Sequence, residues 1–285
     1  MASTARTTNA APEANPAPPA PTTPKAGSTP HPTRRSAAMK SGALLLIVPA
    51  VLFVAWAALA AMVDSLVFPG PLDAVTGLLS DLGSETFRTS ALSTVRLLLI
   101  SWALAAAIGG LLGFALGLSP FWAKVFQTPL FAFYSIPKVT LYPIFLLLLG
   151  VGEAGRIAFA FFHGVFPMAL LVMGATASLD TKYLKLADAL CLPWHVRLRS
   201  ILLPALLPSV VTALRIAFGL TLLGLVLGEM FNSDIGLGRE LIDNVSQVSV
   251  DRIAGQVLFI AGIALGPSLL LRWLERRTTS RYGTP

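Results

Sequence analysis

Apolar runs of about 20 residues recur along this chain, each long enough at 1.5 Å per residue to cross a roughly 30 Å hydrocarbon layer as a helix. Lipid offers the backbone no hydrogen-bond partners, so such runs fold as helices rather than open sheets. The composition agrees: of 285 residues, 55% are hydrophobic and only 12% charged. We therefore expect an all-α membrane protein with about six transmembrane helices, near 42–63, 94–118, 122–149, 155–178, 206–229 and 253–272. The third run is long enough to be tilted, broken or partly interfacial. An amphipathic stretch at 71–83 follows the first span.

Residues 1–38 are rich in Ala, Pro, Thr and Ser and carry almost no bulky apolar side chain. Burial there cannot offset the entropy of ordering, and the segment reads as a disordered cytoplasmic tail. Met39 follows directly and is a candidate alternative start. The first apolar run is preceded by Arg34, Arg35 and Lys40 and followed by Asp64, as for a helix entering from the cytosol. A cleaved signal peptide is the rival reading, because Ala58-Leu59-Ala60 resembles a cleavage site, but the run exceeds the usual apolar region of a signal. The remaining divisions are 39–91 (first transmembrane helix and periplasmic amphipathic segment), 92–275 (membrane core) and 276–285 (basic cytoplasmic tail).

Charge fixes the orientation. With the N-terminus inside, the cytosolic segments hold fourteen of the 21 basic residues and the outer segments hold five: Arg88, Arg96, Arg156, Arg239 and Arg252. That asymmetry predicts both termini in the cytosol. It also accounts for the net charge of +7 without nucleic acid, since no basic face with interleaved aromatics appears. The one cysteine, Cys191, cannot form an intrachain disulfide, and no Cys/His cluster has metal-ligand spacing. No G-x-x-x-x-G-K-[ST] loop is present, so any ATP hydrolysis belongs to a partner. His31, His163 and His195 are scattered and read as incidental rather than catalytic.

Charged groups inside spans are costly and often functional. Lys138 lies about 21 Å along a helix counted from Lys124, near mid-membrane, just after Pro137. A cation facing a central path favours an anionic solute, whereas a structural lysine would snorkel or pair with an acid. Ser135, Lys138 and Glu229 are the candidate pathway residues. Glu229 closes the fifth span, either lining an outer gate or standing as a solvated helix end, and Arg215 reads as an interfacial anchor or a pair for the coupling region. Gly109, Gly113 and Gly117, at four-residue spacing, form a flat stripe that lets another helix approach closely.

The most informative segment lies between the fourth and fifth spans: TKYLKLADALCLPWHVRLRSILLPALLPSVVTALR. It is long, basic and semi-amphipathic, and ends in two prolines four residues apart. Ala187 and Cys191, one helical turn apart, give a short helix a small-residue face able to seat in a partner's groove.

This segment, together with FYSIPKVTLYPIFLLLLGVGEAGRIA, LGEMFNSDIGLGREL and LSTVRLLLISWALAAAIGGLLGFALGL, resembles the binding-protein-dependent ABC importer permeases of the nitrate, sulfonate and taurine type. The similarity covers about 92–272. The family's loop signature carries Glu-Ala-Ala, a glycine four residues after the second Ala, and a distal Ile-x-Leu-Pro. Here Ile201, Leu203 and Pro204 match the distal part and Ala187 the last Ala, while Lys185, Leu186 and Cys191 depart from it. Cys in place of Gly matters because glycine adopts a positive φ that Cys resists.

The resemblance implies that 92–275 is a permease core and that Ala187, Asp188, Ala189, Cys191, Ile201, Leu203 and Pro204 form a cytoplasmic coupling helix docking on a separate ABC ATPase. It implies an inner-membrane permease subunit importing a small polar, anionic solute of the sulfonate, nitrate or taurine type. No cofactor is expected on this chain, with ATP and Mg held by the ATPase partner. A solute-binding protein and a second copy complete the expected assembly. Rival readings are a secondary transporter or channel, a membrane-embedded enzyme and a non-transporting scaffold. The first needs an ion relay or inverted repeat and the second a convergent catalytic set, neither of which is visible.

Overall fold

The computed structural model describes residues 34–63, 68–179 and 189–282, and every regular element among them is helical. The chain divides into two units, Met1–Val51 and Leu52–Pro285. In the first, residues from Arg34 onward belong to helix α1 (Arg34–Val63). The second holds the helical core.

Helix α2 (Pro71–Gly83) forms the expected amphipathic segment, begun by a proline at its first position, where a missing N–H costs nothing. Helix α3 (Glu85–Leu104), a π-turn (Ala105–Gly109) and α4 (Gly110–Gly117) make one apolar span, Glu85–Gly117. Helices α5 (Pro120–Ser135) and α6 (Tyr142–Leu149) are bent by 83° about a short 3₁₀ turn (Lys138–Leu141). Pro137 causes the break: it has no N–H and forces Ile136 into extended backbone, ψ 134°. The expectation of a tilted or broken third run is met by a break.

Gly150, in left-handed conformation at φ 75°, ends α6 and turns the chain into α7 (Glu153–Ala177). A short helix α8 (Trp194–Arg197), a π-turn (Leu198–Leu202) and α9 (Leu203–Phe231) form a second long element, Trp194–Phe231. Helices α10 (Leu237–Ser246) and α11 (Val250–Tyr282) complete the fold.

Four helices among the described residues are long and apolar enough to cross a membrane, or five if the bent pair counts as one span. The expected count of six is not confirmed among the described residues. The first run forms part of α1, whose described apolar portion is Ala50–Val63, shorter than a full crossing. Two boundaries also shift. Helix α1 starts at Arg34, inside the segment read as tail, because good helix formers follow Pro32 with no further proline until Pro49. Helix α11 runs on to Tyr282, through the segment read as a basic tail, since Arg276, Arg277 and Arg281 favour a helix C-terminus.

The core is built on α7. Its buried Ala160 packs with Leu97 and Leu98 of α3 and with Phe218, Leu222 and Leu225 of α9. Its Met168 and Val172 meet Ala213 and Ala217. Close approach to α4 rests on the glycine stripe: a Cβ would lie 2.6 Å from Val165 O at Gly109, 2.4 Å from Ala169 O at Gly113 and 2.7 Å from Met173 O at Gly117.

Helix α2 packs as closely on the start of α11, where a Cβ at Gly255 would lie 2.6 Å from Leu78 N. Asp81 is buried there, 3.6 Å from Arg252, with Oδ2 unpartnered. Burial pushes its carboxyl above the usual range, partly opposed by the Arg252 charge. A carboxyl with a raised folded-state pKa holds its proton more tightly folded than unfolded, so its stabilising contribution is present at low pH. That contribution is lost as pH rises through the folded value. Asp81→Asn is therefore expected to raise the thermal midpoint in detergent at pH 7.5, with the gain shrinking as pH falls towards the ordinary carboxylate range. A lower midpoint at pH 7.5 would give the greater weight to the attraction of Arg252.

Candidate functional site

Three chemically distinctive places stand out among the described residues: a turn before the N-terminal end of α9, the break between α5 and α6, and a buried polar collar at the C-terminal end of α9.

Before the N-terminal end of α9, Ala187 and Asp188 lie outside the described residues. Ala189 and Cys191 are exposed in the turn that precedes α8. Cys191 has φ +48°, so the backbone keeps the left-handed conformation that glycine would favour, although a side chain is present. Leu190 and Trp194 are 60% and 53% exposed, an apolar face beside the turn. Ile201 sits half-buried in the π-turn, Leu203 is 50% exposed and Pro204 is half-buried at the start of α9. Pro204 and Pro208 each lack a donor and crowd the preceding turn, which accounts for the wide π-turn immediately upstream. Arg215 pairs with Glu275 of α11 at 3.2 Å, and Thr212 donates to the same carboxylate at 2.7 Å. The lower part of α9 is thereby tied to α11.

Left-handed backbone costs a residue with a Cβ about 1–2 kcal/mol, and more for a β-branched one. Cys191→Gly is expected to leave the turn intact, whereas Cys191→Ile should open it. Amide exchange over Leu190–Trp194 should quicken about fivefold or more in the isoleucine variant, from that strain. Equal protection in the isoleucine variant and the parent would mean that the turn is held by contacts stronger than its backbone strain.

At the break, Lys138 is half-buried. Its ammonium donates to Tyr134 O at 2.8 Å and lies 4.9 Å from the centre of the Tyr134 ring. No acid pairs with it among the described residues. Ser135, the last residue of α5, is exposed. Rings crowd the inner side of the break: Phe133 stacks on Phe166 at 5.4 Å, and Tyr142 meets Phe159 at 4.8 Å.

At the C-terminal end of α9, Glu229 is fully buried, which rules out a solvated helix end and leaves it no open path to line in this conformation. Thr94 of α3 donates to its two carboxylate oxygens at 2.9 Å, and the Gly238 N–H of α10 donates at 3.0 Å. Thr94 Oγ1 in turn accepts the Leu237 N–H at 2.9 Å. The chain can wrap the carboxylate this tightly because two positions lack side chains. A Cβ at Gly236, φ +142°, would lie 2.4 Å from Glu229 Cδ, and one at Gly238 would lie 2.7 Å from Glu229 Cβ.

Arg156 of α7 holds the same loop from the other side, donating to Ser233 Oγ and, at 2.9 Å, to Ile235 O. Gln256 of α11 donates to Leu237 O and accepts from Asn244 at 3.1 Å. One network therefore joins α3, α9, α10 and α11, and Arg156 ties α7 to the loop between α9 and α10. Of its members, Glu229 alone stands among the candidate site residues read from the sequence. Thr94, Arg156, Ser233, Asn244 and Gln256 were missed, although the Gly-Leu-Gly spacing of 236–238 marks a place where backbone and side chain meet closely.

Comparison with known proteins identifies the family. Residues 105–282 match the family described as binding-protein-dependent transport system inner membrane component. Bacillus subtilis (strain 168) SsuC, which its name assigns to aliphatic sulfonates transport, is 25% identical over 235 residues, covering 81% of this chain and 85% of that protein. The taurine transport system permease protein TauC of Escherichia coli (strain K12) is 26% identical over 260 residues, covering 88% and 92%. The nitrate import permease protein NrtB of Synechococcus elongatus is 26% identical over 265 residues, covering 87% and 95%.

Proposed function

The chain belongs to the binding-protein-dependent transport system inner membrane components, and from its being such an ABC importer permease subunit we propose how its three distinctive places divide the work. As an inner-membrane, multi-pass member of this family it works with an ATPase and a solute-binding protein. The finer assignments below are our reading.

Two copies form the translocation path between them, with both termini in the cytosol. The segment Ala187–Cys191, whose described part is the turn at Ala189–Cys191 with the exposed Leu190 beside Trp194, docks on the ATPase, which holds ATP and Mg. The single observation that carries this is the left-handed backbone at Cys191, a turn geometry kept in spite of its strain. ATP-driven closure of the ATPase subunits then tilts α9, whose prolines fix its angle to the turn, and shifts the population between inward-facing and outward-facing states.

The solute is a small anion of the sulfonate, nitrate or taurine type, the chemistry named for the similar permeases. Lys138 supplies the cation. An ammonium near mid-membrane with no acid partner among the described residues is costly against lipid, which favours a wet path or a subunit interface on that side of the break.

The test is purification of the tagged complex in lipid nanodiscs, with mass spectrometry of what co-purifies and an assay of ATP hydrolysis. An ATPase should be recovered, and Pro204→Ala should weaken its retention. The same complex in vesicles should lose anion uptake on Lys138→Gln. A parent complex with no ATPase after crosslinking would return the chain to the secondary transporter or scaffold reading, and unchanged uptake would make Lys138 a structural residue.

A further inference from the structure

Helix α9 and the elements continuous with it run from the exposed inner turn to the buried outer collar without interruption, as the 38-residue element Trp194–Phe231. At about 57 Å it is nearly twice the thickness of the hydrocarbon layer. Its N-terminal end starts at Trp194, three residues after Cys191 in the turn. Its outer end is locked through the Glu229 carboxylate to the first turn of α10. Helix α10 and its flanking loops are strongly two-sided. Leu237, Gly238 and Asn244 are buried, while Asp234, Ile235, Arg239, Val245 and Val248 are exposed at the outer surface.

We propose that Glu229 and Thr94 are positioning residues of the transport cycle: the joint through which a solute-binding protein seated on α10 is felt at the ATPase-docking turn. This rests on the permease reading given above. Three features carry it. The carboxylate is the direct bond between α9 and α10, reaching the Gly238 N–H. Thr94 doubles the joint, donating to Glu229 and accepting from Leu237 N. Gly236 and Gly238 have no room for side chains, so α10 cannot slide over the end of α9 without opening the network. A tilt of α9 then carries α10 with it, and a protein bound on α10 biases the tilt. The exposed faces of α10 and the turn are the two sites whose free energies the joint couples.

Coupling between two sites is reciprocal, so it can be read as a ratio of affinities. The complex of permease and ATPase is purified, and the Kd of its co-purifying solute-binding protein is measured without nucleotide and with ATP trapped by vanadate. The wild-type complex should show a ratio of at least about fivefold, the lower end of ordinary coupling between sites. Glu229→Gln and Thr94→Val, both close in volume to the native residue, should bring the ratio towards one while the ATPase still co-purifies. Thr94→Ser, which keeps the hydroxyl, should retain the wild-type ratio.

Variants that weaken both affinities in proportion, leaving the ratio intact, would reduce the joint to packing and overturn the proposal. Should the parent complex contain no ATPase, the permease reading itself would fail. A parent complex that holds its ATPase but shows a ratio of one would overturn only the coupling.

Discussion

Glu229→Ala is expected to leave little or no folded permease in the membrane. Truncation removes the acceptor for Thr94 and for the Gly238 N–H at once and opens a hole against two glycines that have no side chains to fill it. Each buried donor left without a partner costs about 1–3 kcal/mol, so with the cavity the loss is on the order of 4 kcal/mol or more. In a chain of this size that corresponds to a fall in thermal midpoint of roughly 10 °C or more. Scanning detergent-purified protein by intrinsic fluorescence would show it, as would a drop in the amount extracted from membranes. A midpoint within a degree or two of the parent would mean that the collar is already open in solution. Glu229→Gln keeps the volume and an acceptor oxygen, so the two variants separate loss of the fold from loss of the joint.

The second large effect is expected at Gly113. A Cβ there would lie 2.4 Å from Ala169 O, 3.1 Å from Ala169 C and 3.0 Å from Met173 N, all backbone atoms of α7. Backbone cannot yield as a flexible side chain does, so any added carbon must push α4 off α7. Gly113→Ala should cost about 1–3 kcal/mol, and Gly113→Leu should exceed that range and abolish folding. Two neighbouring glycines serve as controls. A Cβ at Gly110 meets only the terminal methyl of Met168, at 3.3 Å, and one at Gly174 meets nothing within 4 Å. Gly174→Ala should even stabilise by about 0.5–1 kcal/mol through helix propensity. Thermal scans of Gly110→Ala, Gly113→Ala and Gly174→Ala side by side would test the order. Equal midpoints for Gly113→Ala and Gly174→Ala would show that helix contact there is looser than the 2.4 Å approach requires.

Hydropathy located the long apolar helices because burial in lipid is a local property of sequence. It placed their ends less well. The second span was expected from 94, yet its helix starts at Glu85, since polar turns outside the hydrocarbon remain helical without being apolar. The doubt raised by Cys191 was legible because positive φ is a demand on a single residue. The collar was not. Thr94 and Glu229 are 135 residues apart, and nothing near either in sequence announces the other. Glu229 looked like a span terminus because the polar run Asn232-Ser233-Asp234 follows it closely.

The charge count treated Arg96, Arg156, Arg239 and Arg252 as exceptions to be outweighed on the outer side. In the structure each has a partner: Glu153, the loop at Ser233 and Ile235, Asp243 and Asp81, respectively. Three of these arginines fasten separate segments, while Arg239 pairs within α10. Arg215, read from sequence as either anchor or pair, is a pair, with Glu275.

The collar also sets a timetable for biogenesis. Its parts are made in the order Thr94, Arg156, Glu229, Asn244, Gln256, and the last of these belongs to α11, the final helix. Until Gln256 has emerged and inserted, the carbonyl of Leu237 and the amide of Asn244 lack the partner that closes the ring. Every shorter nascent chain carries an incomplete, polar and unlatched outer end within a low-dielectric layer. Such an end is a natural handle for membrane quality control, and it makes insertion of α11 the step that commits the whole chain.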